Sequence, residues 1–67
     1  MNALAFKRHK LRDALRMYPQ LLDELKRERE QGVSYSRLAL IVYERTGLSV
    51  DPSTVRDWMI DLENEQN

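Results

Sequence analysis

The amino-acid sequence predicts an all-α fold, a small domain of four helices. Apolar residues recur at helical spacing, most clearly at Val55, Trp58, Met59 and Leu62, which stand at i, i+3, i+4 and i+7. β-branched residues are sparse, and no window alternates apolar and polar residues between two turns, so no strand is predicted. The chain has 67 residues, and we expect them to form one domain over 1–67.

The first helix is predicted over residues 3–18 and the second over residues 19–31. Asn2 is an acceptable N-cap for the first, because its side-chain oxygen can accept from an early backbone N–H. Pro19 suits the first position of the second helix, where a missing N–H costs no hydrogen bond. Gly32 follows at the place where a left-handed residue commonly ends a helix.

The third helix is predicted over residues 35–46 and the fourth over residues 52–63. Ser34 is a favourable N-cap for the third helix. Asp51 is expected to cap the fourth, and Pro52 then takes its first position. These two start signals are similar, and they predict two consecutive helices joined by a short connection.

The apolar stripes of the four predicted helices define a common core. For residues 1–8, a flexible basic arm is an alternative to the first turns of the first helix. Residues 64–67 are expected to fray at the end of the fourth helix. The predicted core consists of Leu11, Leu15, Leu22, Leu25, Leu38, Ile41, Val42, Val55, Trp58, Met59 and Leu62.

Charge is balanced in total but unevenly distributed. There are 11 Lys and Arg residues against 11 Asp and Glu residues, so the formal net charge is zero. The charged residues within 7–16 are mostly basic, whereas residues 57–67 contain acidic residues and no basic residue. A DNA-binding domain is usually basic, so the balanced total does not favour nucleic acid.

Several classes of function are disfavoured by the residue types present. The chain has no cysteine, which excludes disulfides and thiolate metal sites. His9 is the single histidine, and the serines are accounted for by helix starts, so we expect no enzyme, no metal site and no cofactor. No apolar run approaches the roughly 20 residues of a membrane span, so we expect a cytoplasmic protein without a membrane partner.

The third and fourth predicted helices are typical of a helix-turn-helix. In that motif the N-terminal part of the second helix enters the major groove of DNA, which is about 12 Å wide. Ser53 and Arg56 stand three residues apart on the face of the fourth helix that points away from the core. Ser, Thr and Arg are side chains that read base edges and phosphates, and Arg to guanine is the commonest specific contact.

One stretch resembles helix-turn-helix DNA-binding domains of the homeodomain-like type, as in small phage and mobile-element regulators and in transposases and resolvases. The matching residues are Gly32, Ser34, Leu38, Ala39, Pro52, Ser53, Thr54, Val55 and Trp58. The resemblance implies major-groove contacts from Ser53, Thr54 and Arg56. It implies that three residues at the start of the third helix approach the DNA backbone: Ser34, Ser36 and Arg37.

Two features depart from that pattern. The interval between Ala39 and Val55 is longer than in many such domains. The predicted recognition helix also carries a single basic residue, Arg56. Its Asp57 can accept a hydrogen bond from cytosine N4 and completes the predicted set of base contacts. Affinity must then come from other basic residues, so we add to the predicted backbone contacts Arg45, Lys7, Arg8, Lys10 and Arg12.

Two functions therefore fit the sequence. The first is a sequence-specific double-stranded DNA-binding protein, a small transcriptional regulator of phage or mobile-element type, binding as a homodimer because one short helix covers little DNA. The alternative is a small helical protein-binding module, an adaptor or inhibitor that uses the same fold without DNA. Its interface anchors would be Leu40, Ile60 and Phe6.

Overall fold

The computed structural model describes the backbone of residues 3–65 and the side chains of residues 9–61. Over that part of the chain it contains four helices and no strand, which confirms the predicted all-α class. The helices are α1 (Ala3–Met17), α2 (Leu21–Glu30), α3 (Tyr35–Thr46) and α4 (Pro52–Glu65).

The connection between α1 and α2 is longer than predicted. Pro19 does not begin α2; it lies in a turn closed by a hydrogen bond of 3.0 Å from the Leu21 N–H to the Tyr18 carbonyl. Proline is favoured at the second position of such a turn, because its fixed φ matches the geometry required there. The predicted start of the second helix at residue 19 is therefore wrong by two residues.

The end of α2 is closed by two backbone hydrogen bonds around Gly32. The N–H groups of Gly32 and Val33 donate to the carbonyls of Arg29 and Glu28, at 2.9 and 3.2 Å. This is the Schellman arrangement, and it requires a left-handed residue at Gly32, whose φ is +89°. The role predicted for Gly32 is confirmed.

Capping also determines both ends of α3. The Ser34 hydroxyl accepts from the Arg37 N–H at 3.2 Å, which confirms the predicted N-cap. At the other end Gly47 has a φ of +76°, and the Thr46 hydroxyl donates to the Val42 carbonyl and accepts from the Leu48 N–H. The helix therefore stops abruptly, and residues 47–51 lead directly into α4.

The core lies where α3 meets the other three helices. α3 packs against α1, α2 and α4, so it is the central element of the domain. Among residues 9–61, nine hydrophobic side chains are buried there: Ala14, Leu21, Leu25, Leu38, Ala39, Val42, Val55, Trp58 and Met59. Several partly buried residues pack around them, including Leu11, Leu15 and Ile41.

Of the predicted core residues, Leu11, Leu15 and Ile41 are partly buried and pack against the buried set, whereas Leu22 does not, and one further residue cannot be placed. Leu22 is only half-buried, and Leu21 takes its position in the core. Leu21 and Leu25 are one helical turn apart and both point at α3, whereas Leu22 is rotated by about 100° from Leu21. The side chain of Leu62 lies outside the described residues.

Candidate nucleic-acid interface

The exposed side of α4 carries three of the residues on which recognition could depend. Ser53, Arg56 and Ile60 are exposed, while Val55, Trp58 and Met59 on the opposite side are buried in the core. Trp58 is the largest fully buried side chain, so it fixes how α4 is oriented against the domain. The polar side chains near the start of α4 are thereby held on the solvent side of a packed helix.

Thr54, one of the predicted base contacts, is buried in the structure. Its side chain is 7% exposed, and it lies one turn before Trp58 on the same side of α4. A residue this little exposed leaves almost no surface for a contact with a base edge. Asp57, the fourth predicted base contact, is half-buried and already has an interaction within the protein.

The first turn of α3 presents three polar residues to solvent. Ser34, Ser36 and Arg37 are all exposed. Ser34 uses its hydroxyl oxygen to cap the helix, whereas the side chains of Ser36 and Arg37 have no such role. The positive end of the helix dipole coincides with Arg37, so this turn is electropositive despite the neutral total charge.

Arg45 is occupied by another part of the protein. Its guanidinium forms a bidentate ion pair with Glu24, with Nη2 to Oε1 at 2.9 Å and Nε to Oε2 at 3.0 Å. It also stands 5.8 Å from the ring centroid of Tyr18. Hydrogen bonding and coulombic attraction to Glu24 raise the pKa of Arg45 above its ordinary value. Arg45 therefore joins α3 to α2, and the phosphate contact predicted for it would have to displace Glu24.

The four residues of α1 that were predicted to contact the DNA backbone divide into three groups. The side chains of Lys7 and Arg8 lie outside the described residues. Lys10 reaches the connection between α3 and α4, where its Nζ donates to the Ser49 carbonyl at 3.2 Å. Arg12 is exposed on α1 and has no ion pair or hydrogen bond of its side chain among the described residues.

Lys10 and Arg29 show two structural uses of basic residues that sequence reasoning missed. Lys10 ties α1 to the connection that precedes α4, which helps to fix the start of that helix. Arg29 donates to the Val33 carbonyl at 2.8 Å and lies 4.3 Å above the Tyr35 ring. The only sequence signal for the Arg29 contact is an aromatic residue six positions further along, across a predicted Gly32 turn.

Exposed apolar side chains form the second notable feature. Leu40 is 47% exposed and Tyr43 is 55% exposed, and these residues are three apart on one side of α3. Ile60 on α4 is 41% exposed, and Met17 at the end of α1 is also exposed. Phe6, the third anchor expected of a protein-binding module, lies outside the described side chains. Tyr43 was not predicted, although its i+3 spacing from Leu40 marked it.

Sites for small ligands are weakly developed in the part of the chain that the structure describes. An open depression of about 280 Å³ lies beside the α1–α2 turn, lined by Tyr18, Gln20, Asp23, Glu24 and Arg27. Within residues 9–61 no group of three or more potential metal ligands comes together. Among the described helices, none has both the length and the apolar character needed to cross a membrane.

The geometry defines a small all-α domain with one polar helix face and one exposed apolar strip. Comparison with protein-family models, with curated proteins and with solved structures finds no significant match to this chain. The function must therefore be inferred from the exposed residues of α3 and α4 themselves.

Proposed function

We propose that this protein binds double-stranded DNA, with α3 and α4 acting as a helix-turn-helix and the exposed side of α4 entering the major groove. The observation that supports this most directly is the position of Ser53 and Arg56. Both are exposed on the first turns of α4, while the opposite side of that helix is anchored by Trp58. A helix held in this way can present its N-terminal side chains and free N–H groups to DNA.

The exposure of the side chains on α4 supports a smaller set of base contacts than the four residues predicted from the sequence. Ser53 and Arg56 remain, and Arg56 is the residue suited to bidentate contact with guanine. Thr54 leaves the set because it is buried. We assign contacts with the DNA backbone to Ser34, Ser36, Arg37 and Arg12, since all are exposed on α1 or the first turn of α3.

The number of exposed basic side chains that can contact phosphates determines the expected affinity for DNA. A protein that contacts few phosphates has modest affinity and a shallow salt dependence, because each neutralised phosphate releases close to one counterion. One such domain is too small to specify a long site, so a symmetric dimer on a two-fold site is the usual solution. We therefore propose a small transcriptional regulator that binds its DNA site as a homodimer.

A selection from random duplex DNA at about 100 mM salt, near physiological ionic strength, tests this function. We expect one enriched sequence, and we expect its affinity to fall linearly in log–log form as salt increases. If no sequence is enriched and no duplex binds even at low salt, the protein is not a DNA reader.

Two arginine variants distinguish contacts with the bases, which give sequence preference, from contacts with the phosphates, which give affinity for any sequence. Arg56→Ala should reduce the preference for the selected site by roughly tenfold or more, because a good bidentate base contact contributes about 1–3 kcal/mol of discrimination. Arg12→Ala should weaken selected and random duplexes alike and lower the salt slope by about one for each copy bound. Fluorescence anisotropy with labelled duplexes measures both. Equal behaviour of the two variants would contradict the assignment of Arg56 to the bases.

A protein-binding module remains the second candidate, and the exposure of Leu40 and Tyr43 favours it. These residues give α3 an apolar strip beside polar side chains, as at a protein interface. The same duplex experiment discriminates between the candidates, since a module of this kind would show no salt-dependent association with DNA. Leu40→Ala would then impair partner binding while Arg56→Ala would not.

A further inference from the structure

The side of α3 opposite the core carries a strip that contains both apolar and charged residues. The fully buried residues of α3, Leu38 and Val42, point towards the other helices. At about 100° per residue, five exposed residues fall within an arc of roughly 120° on the outer side. We call this strip the Leu40 face, and it consists of Ser36, Arg37, Leu40, Tyr43 and Glu44.

Arg37 and Glu44 stand on the same edge of the Leu40 face and on opposite sides of Leu40. They are seven residues apart, which corresponds to about 10.5 Å along the helix axis. Side chains of one helix pair at spacings of three or four residues, so these two are too far apart to pair with each other. Neither side chain has a hydrogen bond or ion pair with any other described residue.

This arrangement is complementary to itself. Consider a two-fold axis beside Leu40 that is perpendicular to the helix axis and parallel to the outer surface of α3. Rotation about this axis places α3 antiparallel to a copy of itself. The edge of the strip that carries Arg37 then lies beside the same edge of the copy. Arg37 then faces the partner's Glu44, and Glu44 faces the partner's Arg37. The same operation brings Leu40 against the partner's Leu40, with Tyr43 covering the other edge. Closed dimers are built from such self-complementary patches.

We propose that the Leu40 face is the docking surface for a second copy of this chain, joined as an antiparallel pair of α3 helices. The opposite charges, three residues before and four residues after Leu40, fit a two-fold copy whose axis passes just beyond Leu40, and an unrelated partner would not require that spacing. The proposal does not depend on DNA binding. In this dimer Ser36 and Arg37 lie at the interface between the two copies, so the contacts proposed with the DNA backbone reduce to Ser34 and Arg12.

The proposed dimer is small. Each copy of α3 has 12 residues, so the interface falls at the low end of specific protein contacts, below about 1,200 Å² in total. We expect a dissociation constant on the order of 100 μM for the free protein. Binding of two copies to neighbouring DNA half-sites would raise the occupancy of such a dimer through effective concentration.

Charge reversal tests the pairing. In sedimentation equilibrium over about 10 μM to 1 mM, Arg37→Glu and Glu44→Arg should each weaken self-association by roughly tenfold or more, since each creates two like-charge contacts across the two-fold axis. The double variant restores both pairs with their signs exchanged. Its dissociation constant should return to within about threefold of the original value.

Matched controls keep the outcome interpretable. Glu30→Arg changes the same charge on an exposed site of α2, and Met17→Glu places a charge on an exposed apolar site of α1; both should leave self-association unchanged. Circular dichroism checks that every variant keeps its helix content. A protein that stays monomeric to about 1 mM, or single reversals that the double variant does not rescue, would overturn the proposal.

Discussion

At the scale of single residues, Gly32 shows how a backbone conformation can determine which amino acid a position requires. Its φ of +89° is one that L side chains rarely adopt, while an added Cβ would meet no atom within 4 Å. The requirement for glycine therefore comes from the backbone alone and has no contribution from crowding by other residues. The two hydrogen bonds that end α2 depend on that conformation.

Gly32→Ala is accordingly expected to destabilise the domain by about 1 kcal/mol, which is a fall of about 4–8 °C in Tm for a domain of this size. Gly32→Asn should lose less, because asparagine tolerates the left-handed region better than alanine. Thermal unfolding followed by circular dichroism compares the two. An alanine variant as stable as the original would show that the chain adopts another turn at this position.

Thr54 and Leu22 show what the residue pattern left undecided. A single apolar stripe on α4 predicted Thr54 on the outer side, but Thr54 is only 7% exposed. It is rotated by about 100° from Val55 and therefore stands at the edge of the stripe, where spacing alone does not decide burial. On α2, Leu21 and Leu22 satisfy helical spacing with Leu25 almost equally well. The choice between them is made by the turn at Pro19, which determines where α2 begins and how it is rotated.

At the scale of the helices, local start and stop signals explain most of what sequence could predict. The limits of α3 and the beginning of α4 agree with prediction because Ser34, Gly47 and Pro52 act through neighbouring backbone groups. Contacts between helices were not predicted. Arg45 binds Glu24 across 21 positions of sequence, and Lys10 reaches the Ser49 carbonyl across 39. No local pattern encodes such pairs.

The N-cap of α3 provides the test at this scale. Ser34→Ala removes the oxygen that accepts from the Arg37 N–H, and we expect a loss of about 1 kcal/mol in the free energy of unfolding. Ser36→Ala is the matched control, since Ser36 is exposed two positions further along and its change should stay within about 0.5 kcal/mol. Urea titration measures both variants. Equal losses would mean that Ser34 contributes by something other than its cap.

At the scale of the whole molecule, stability rests on a core centred on α3, to which the described part of the chain contributes nine buried hydrophobic side chains. A chain of 67 residues is expected to have only about 3–10 kcal/mol of unfolding free energy. The loss of one central contact is therefore a large fraction of the total. The neighbouring Leu38 and Leu40 make this measurable within one helix, because Leu38 is fully buried and Leu40 is 47% exposed.

Leu38→Ala should cost about 2–5 kcal/mol, since it leaves a cavity at the junction of the helices, and the midpoint of its denaturant titration should fall sharply. Leu40→Ala should change the unfolding free energy by less than about 0.5 kcal/mol. Trp58 is the single tryptophan and is 1% exposed, so its fluorescence reports unfolding directly in a denaturant titration. Protein at a few micromolar stays well below the dissociation constant expected for the α3 pair, so self-association does not contribute. If both substitutions cost the same, α3 would have to be rotated about its axis, and the Leu40 face would not be the outer surface of the domain.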